Sequence, residues 1–390
     1  MKFIHAFVIL FGLTLNCGAV TPSARVATPS TRNAVAVGQL ASTTHPIPAE
    51  NAKDYIAGIE LAFTRINARG GVKGRPLRLV TADDNFDASR ATGLVDELVS
   101  QQDIVAMVGN FGTQPVLKLA AEGTLEKHQL ASIGPMAGLQ DALTKPNVFA
   151  VRATYEDEVL AMMQHSARLG RFKLGFVYFE AGAGKHLAKL APEMAKQAGV
   201  DLRGLHMFAV TPDKSRQEDT VVQAIAPLLS QDLNAVILIA AGGVHSDAIK
   251  ALRKQLGSGL PIYSLGQNSA ELLVKEVGAA TAAGVMLTQV VPVPGSLDMP
   301  VMREFTQDAQ KFSVKKANSF MLVEGYIAGR VATEILKRSK TFSREAVLKA
   351  ANTAGEINVS GYRVQYDANQ RKSLHRVELT MIASNGKLIR

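Results

Sequence analysis

The 390-residue chain carries a single cysteine, Cys17, and it lies in an apolar stretch at the N-terminus. The rest of the sequence therefore has no material for a disulfide framework or a thiolate zinc site. Histidine offers no metal centre either: the eight histidines are dispersed, and no two sit at metal-ligand spacing. Neither G-x-S-x-G nor H-E-x-x-H occurs. Gly182-Ala183-Gly184-Lys185 is only a fragment of a phosphate loop, because Phe179 stands where the first glycine belongs and His186 follows the lysine. It also fails as G-x-G-x-x-G, since Leu187 ends it, and it reads as a tight strand-to-helix turn. Beyond the N-terminus, no segment is long and apolar enough to cross a membrane.

Charge of one sign is not concentrated. The formal net charge is +9, and the tightest basic groups, Lys337-Arg338 with Lys340 and Lys315-Lys316, are short and lack interleaved aromatics. No nucleic-acid partner is expected, although a mild attraction for an anionic ligand is compatible with the balance. Asp83, Asp84 and Asp87 form the one tight acidic group; they read as a polar strand end, with Asp87 capping the following helix.

At this length two domains are expected, and 47% apolar with 20% charged residues describes a folded globular chain. Met1-Lys2 precedes an apolar run over 3–15 and small residues at Gly18-Ala19. Residues 1–19 therefore read as a secretory signal peptide, with an N-terminal membrane anchor as the rival. Asn16 stands where a lipidation signal wants a small residue, which argues against lipid anchoring at Cys17. Residues 20–32, rich in Ser, Thr, Pro and Ala, read as a flexible arm.

From residue 34 onward, short apolar strands alternate with helices. Strands are expected at 34–40, 77–81, 104–109, 130–133 and 148–152, with helices between them. The pattern restarts with strands at 173–179, 235–240, 261–265 and 284–291. Helices near 299–312 and 319–337 follow, and alternating segments at 362–367 and 377–383 suggest two antiparallel strands. This order implies an α/β fold of two doubly wound parallel-sheet halves. Ligands in such sheets bind beyond the carboxyl ends of the strands, where helix N-termini offer free N–H groups. The loops so placed are 110–113, 134–139, 181–186, 242–245 and 267–268. His245 would sit at such a strand end, whereas Tyr155 and Phe179 read as core or hinge packing.

Residues 56–84 read IAGIELAFTRINARGGVKGRPLRLVTADD. Ile56, Ile59, Phe63 and Ile66 recur at helical spacing to make one buried face. Gly70 supplies a left-handed C-cap, and Arg69 in the last turn complements the helix dipole. This wording resembles the opening signature of the type I periplasmic binding proteins, the branched-chain amino-acid (Leu/Ile/Val) receptor family of ABC transporters. The resemblance extends through Val108–Pro115, Ser132–Pro135, Phe149–Arg152, Glu324–Tyr326 and Tyr366–Asn369, covering residues 35–386. It implies two lobes joined by three hinge crossings near 152–154, 284–287 and 366–370. The first lobe is then 33–152 plus 288–367, and the second 153–287 plus 368–390.

The resemblance also implies a function without catalysis or cofactor: a monomeric periplasmic receptor that closes on a small-molecule ligand and delivers it to an inner-membrane ABC permease. A ligand-sensing receptor coupled to a membrane signalling protein is the alternative. By the same resemblance the ligand-binding positions are Asn110, Phe111, Gly112, Thr113, Pro135, Met136, Ala137 and Gly138 in the first lobe. In the second they are Ala183, Val244, His245, Gln267 and Asn268. The family's hydroxyl position falls on Gly138, its acidic position on Gln267, its aromatic positions on Ala183 and Val244, and its disulfide positions on Phe86 and Gly109. A buried ammonium without an anionic partner costs several kcal/mol. A standard α-amino acid is therefore disfavoured. Small residues at Gly138, Ala183 and Val244 suggest room for a bulkier acid, an aromatic carboxylate or an amide, to which Gln267 and Asn268 can donate and accept.

Overall fold

The computed structural model describes residues 33–45, 48–180, 183–211, 213–367 and 371–390. The expected signal peptide (1–19), the arm (20–32), the loop positions Ala181 and Gly182, and residues 368–370 lie outside them.

The first lobe opens with β1 (Val35–Leu40), α1 (Ala49–Asn67), β2 (Leu77–Ala82) and α2 (Ala91–Gln102). It continues through β3 (Met107–Val108), α3 (Thr113–Ala121), α4 (Thr124–Lys127), β4 (Ser132–Ile133), α5 (Gln140–Leu143) and β5 (Val148–Phe149). The second lobe follows with α6 (Tyr155–Arg168), β6 (Lys173–Phe179), α7 (Gly184–Ala198), β7 (Asp201–Phe208) and α8 (Gln217–Ile225). Then come β8 (Ala235–Ile239), α9 (Gly242–Leu256), β9 (Ile262–Ser264), α10 (Ala270–Val277), α11 (Ala279–Ala282) and β10 (Val285–Gln289). The chain returns to the first lobe for α12 (Pro300–Lys311), α13 (Phe320–Arg338), α14 (Arg344–Asn352), β11 (Gly355–Val359), β12 (Tyr362–Tyr366) and β13 (Arg371–Ser373). It ends in the second with β14 (Glu378–Ile382) and β15 (Leu388–Ile389).

The first sheet has the parallel order β2-β1-β3-β4-β5, and the second the order β15-β14-β10-β9-β8-β6-β7. Strand alternation decides which layer each side chain enters. On β1, Val35 and Val37 join the core under α1 and α13, while Ala36 and Leu40 join the core under α2 and α3. On β8, Ala235, Ile237 and Ile239 face α6 and α7, and Val236 and Leu238 face α8 and α9. Both sheets are thus covered on two faces, as parallel sheets require.

Helices begin where polar side chains satisfy their free N–H groups. Thr154 and Asp157 form a reciprocal capping box at α6, and Ser269, Ser319 and Ser343 cap α10, α13 and α14. Asp87 accepts from Ser89 N at 2.9 Å, the capping role expected of it.

Two expectations about chain path need correction. Thr288 and Gln289, assigned to the first lobe, pair with Leu379 and Glu378 in the second sheet. Residues 371–373, assigned to the second lobe, form β13 and pair with β12; Ala150 N also donates to Arg371 O at 3.1 Å. The third crossing therefore falls after Ser373 and not at 366–370. The two alternating tail segments are antiparallel strands as expected, β12 beside β11 and β14 beside β10, in different sheets.

The three crossings converge on one hydroxyl. Tyr362 Oη donates toward Val151 O (2.5 Å) and Val290 O (3.3 Å) and accepts from Ser373 Oγ (2.9 Å).

Under the first sheet, α1 and α13 are in backbone contact. A Cβ on Gly58 would lie 2.1 Å from Leu322 O, and one on Gly325 would lie 2.1 Å from Tyr55 O. Gly58→Ala forces these helices apart, and overpacking of this kind costs about 1–3 kcal/mol. The expected drop in unfolding free energy is readable from the urea midpoint, with Gly93→Ala, which meets nothing within 4 Å, as control.

Candidate functional site

The carboxyl ends of β3 and β4 carry the first-lobe residues expected to bind ligand. The two loops are zipped together: Met136 N donates to Asn110 O and Gly112 N to Met136 O, both at 2.9 Å. Phe111 packs edge-on against Tyr55 at 5.9 Å. Gly112, with φ of 109°, adopts a backbone that favours glycine and leads into α3. Asn110 does not present its amide. Its side chain is fully buried, accepting from Leu40 N (3.0 Å) and donating to Ser132 Oγ (3.3 Å), and so it braces β1 against β4. Thr113 Oγ1 accepts from Gly138 N at 3.3 Å. Pro135, Met136 and Ala137 are buried beneath it.

Gly138 does not leave room. A Cβ there would lie 2.1 Å from the Tyr155 ring, so the aromatic edge fills the space that the family's hydroxyl side chain would need. Tyr155 N donates to Gly138 O at 2.7 Å, and its hydroxyl donates to Gln267 Oε1 at 2.6 Å. The backbone carbonyl of Gln267 accepts from Asn51 Nδ2 of α1 at 3.1 Å, a contact between the lobes. Tyr155, Gly138 and Gln267 thus form one constellation, with Thr113 at its edge.

The remaining second-lobe positions divide. Ala183 and Val244 are half-buried at the starts of α7 and α9. Asn268 is turned inward, donating to Ala240 O (3.0 Å) and Ser264 Oγ (3.2 Å), which ties the ends of β8 and β9. His245 is 2% exposed and lies within the lobe; its Nε2 has no hydrogen-bond partner, and burial lowers its pKa to about 4.

Tyr155 was read from the sequence as packing alone, yet its hydroxyl meets the Gln267 amide. The missed signal lay in the pair Gly138 and Tyr155, a small residue opposite a large one, which a single sequence does not reveal. The carboxylates beside Tyr155 are already committed. Glu156 accepts from Gln140 N and lies 2.8 Å from His186 Nε2. Glu158, fully buried, accepts from Arg152 Nη2 (2.8 Å), from Gly266 N (2.9 Å) and from the Thr288 hydroxyl. Arg152, also fully buried, stands 5.3 Å from the Tyr155 ring centre and 3.5 Å from Glu324 Oε1. Neither carboxylate oxygen of Glu324 has a hydrogen-bond partner, and burial raises its pKa. Among the described residues no cluster of three or more His, Cys, Asp or Glu is placed to hold a metal.

A family model described as periplasmic binding protein matches residues 34–387. The chain belongs to the type I periplasmic binding proteins, of the branched-chain amino-acid transporter type. It is 25% identical over 356 residues to the Leu/Ile/Val-binding protein homolog 7 of Brucella melitensis, covering 85% of each chain. Its structure is similar to that of an extracellular ligand-binding receptor from Verminephrobacter eiseniae, with a TM-score of 0.83 at 24% identity, covering 92% of this chain and 100% of that one. It is also similar to a substrate-binding periplasmic protein from Ralstonia solanacearum, with a TM-score of 0.78 at 26% identity, covering 91% and 99%. Members of this periplasmic binding protein family are receptors that bind small molecules for transporters, not enzymes, and are normally periplasmic.

Two outcomes test this geometry. Gly138→Thr collides with Tyr155 more severely than Gly138→Ala, and a melting temperature lower by several degrees than that of Gly138→Ala is expected. His245 is neutral in the folded state, whereas the unfolded chain takes up a proton near pH 6.5. Its contribution is therefore complete above that pH and is lost as pH falls toward about 4, a decline of about 3 kcal/mol for a shift of this size. His245→Leu should flatten this limb in a calorimetric pH series.

Proposed function

We propose that the protein is the substrate-binding component of an ABC-type importer, closing its lobes on a small polar solute in the periplasm and delivering it to an inner-membrane permease. Export through the leader at 1–19 and a monomeric state belong to the same reading. The proposed ligand is an organic or aromatic acid, an amide, or an atypical amino acid.

One observation supports the ligand class: Gln267, which the resemblance aligns with the family's acidic position, carries a neutral amide that accepts from the Tyr155 hydroxyl. A neutral amide does not offset the desolvation of an ammonium group. The Brucella relative is named for leucine, isoleucine and valine. Here, Glu156 and Glu158 are engaged by backbone N–H groups and by Arg152 or His186, and neither is free to replace that acid. Space for a larger solute rests on Ala183 and Val244, since the Tyr155 ring has closed the space over Gly138.

The test is a thermal-shift screen of the chain without residues 1–19 against amino acids, aromatic acids, dicarboxylates and amides. A ligand at about a hundred times its Kd adds roughly 2.7 kcal/mol and raises the melting temperature by several degrees. A shift with an acid or amide but not with leucine or valine is expected. Gln267→Glu should weaken an acidic ligand at least about tenfold, or roughly 1.4 kcal/mol. A shift with leucine or valine in the unaltered protein overturns the ligand class and leaves the receptor role.

A further inference from the structure

The third crossing, residues 374–377, runs past a recess of about 320 Å³ that none of the ligand loops reaches. Met299, Tyr362 and Arg363 of the first lobe line it, with His375 and Arg376 of the crossing itself and Glu378 of the second lobe. Its volume is at the low end for a small-molecule site.

Its charged groups are poorly committed to one another. Arg376 is exposed and makes no hydrogen bond or ion pair among the described residues. Arg363 reaches Glu356 only at 3.6 Å, with both side chains about half exposed, an arrangement worth little in water. Glu378 stands 3.8 Å from His375 and 3.9 Å from Arg390, both beyond hydrogen-bond length, while Arg390 is held by Asp298 at 2.8 Å. His375 is 12% exposed, its Nε2 is buried without a hydrogen-bond partner, and its ring packs 5.4 Å from Tyr362. Arg363, Arg376 and His375 thus line the recess, against one carboxylate residue, Glu378.

We propose that this recess binds a small oxyanion, of carboxylate or phosphate type, and that its occupancy biases the relative position of the two lobes. Arg363 and Arg376 supply the charge and the forked N–H donors that such anions accept. His375 Nε2, in the tautomer that carries the proton, supplies a directed donor. The coupling follows from position. The lining residues come from both lobes and from the crossing, so the recess changes shape whenever the lobes turn. An anion that binds one shape better shifts the population toward it by that difference in affinity. The site is independent of the cleft ligand and of the reading of Gln267.

The experiment is calorimetric titration of the protein with inorganic phosphate and, separately, citrate, at ionic strength held constant with sodium chloride. Small-angle scattering is recorded with and without each anion. Saturable binding of at least one anion is expected, with the radius of gyration changed at saturation. Arg376→Gln should weaken this binding at least fivefold, and Arg363→Gln with Arg376→Gln together should remove both signals. Gln267→Glu, at the cleft, should leave them in place, which separates this recess from ligand capture between the lobes. Heats equal to the chloride control overturn the proposal. So does binding that survives the double substitution, binding lost in Gln267→Glu, or saturation without a change in the radius of gyration.

Discussion

Arg152 is a guanidinium with no access to water at the point where the chain first leaves one lobe for the other. Such a charge persists only if the protein supplies its counter-charge and acceptors for its N–H groups. It does so from both sides: Glu158 on α6 of the second lobe and Glu324 on α13 of the first. Burial opposes the charge on Arg152, and the two carboxyl groups more than offset it, so its pKa is raised. The two acids are not equivalent. Glu158 accepts from a guanidinium, a backbone N–H and the Thr288 hydroxyl. Glu324 has no hydrogen-bond partner and is held toward its neutral form by burial. One guanidinium thus stands between two buried acids at the junction.

The start of α6 inherits its position from this cluster. With Glu158 held by Arg152, Gly266 and Thr288, the preceding turn places Tyr155 under Gly138 and beside Gln267. The position of Tyr155 between the lobes is therefore set by a buried charge behind its ring. The Tyr362 hydroxyl does for the backbone of the three crossings what Arg152 does for the side chains, drawing Val151, Val290 and Ser373 to one oxygen.

Much of this was legible in the residues, and the exceptions have physical causes. The strand Lys173–Phe179 and the helix Ala270–Val277 stand where the apolar pattern puts them. The expected strand at 104–109 is regular only at Met107–Val108, although Val105 N donates to Ala36 O and Gly109 N to Ile133 O on either side of it. β7 left no readable pattern: it is the outer strand of its sheet, its register shifts between Leu202 and Leu205, and Leu205 and Met207 face solvent. The third crossing was misplaced because Arg371–Ser373 is short and polar, and only its pairing with β12 keeps it in the first lobe. At the site, spacing puts Asn110, His245 and Asn268 near strand ends but says nothing of where a side chain turns. All three turn inward.

Both lobes are assembled from segments that are distant along the chain, and this orders their formation. The apolar face of α1 has no lasting cover until α13 exists, and α13 is made only after every strand from β6 to β10. The second sheet in turn keeps an open edge at β10 until β14 has been synthesised. The Tyr362 contact with Val151 closes a span of 211 residues. Contacts of such separation carry their entropic cost before they return any stability, and they slow folding. During synthesis the growing chain thus holds two incomplete halves, each with exposed apolar surface, and the last strands complete both cores within a few dozen residues of one another.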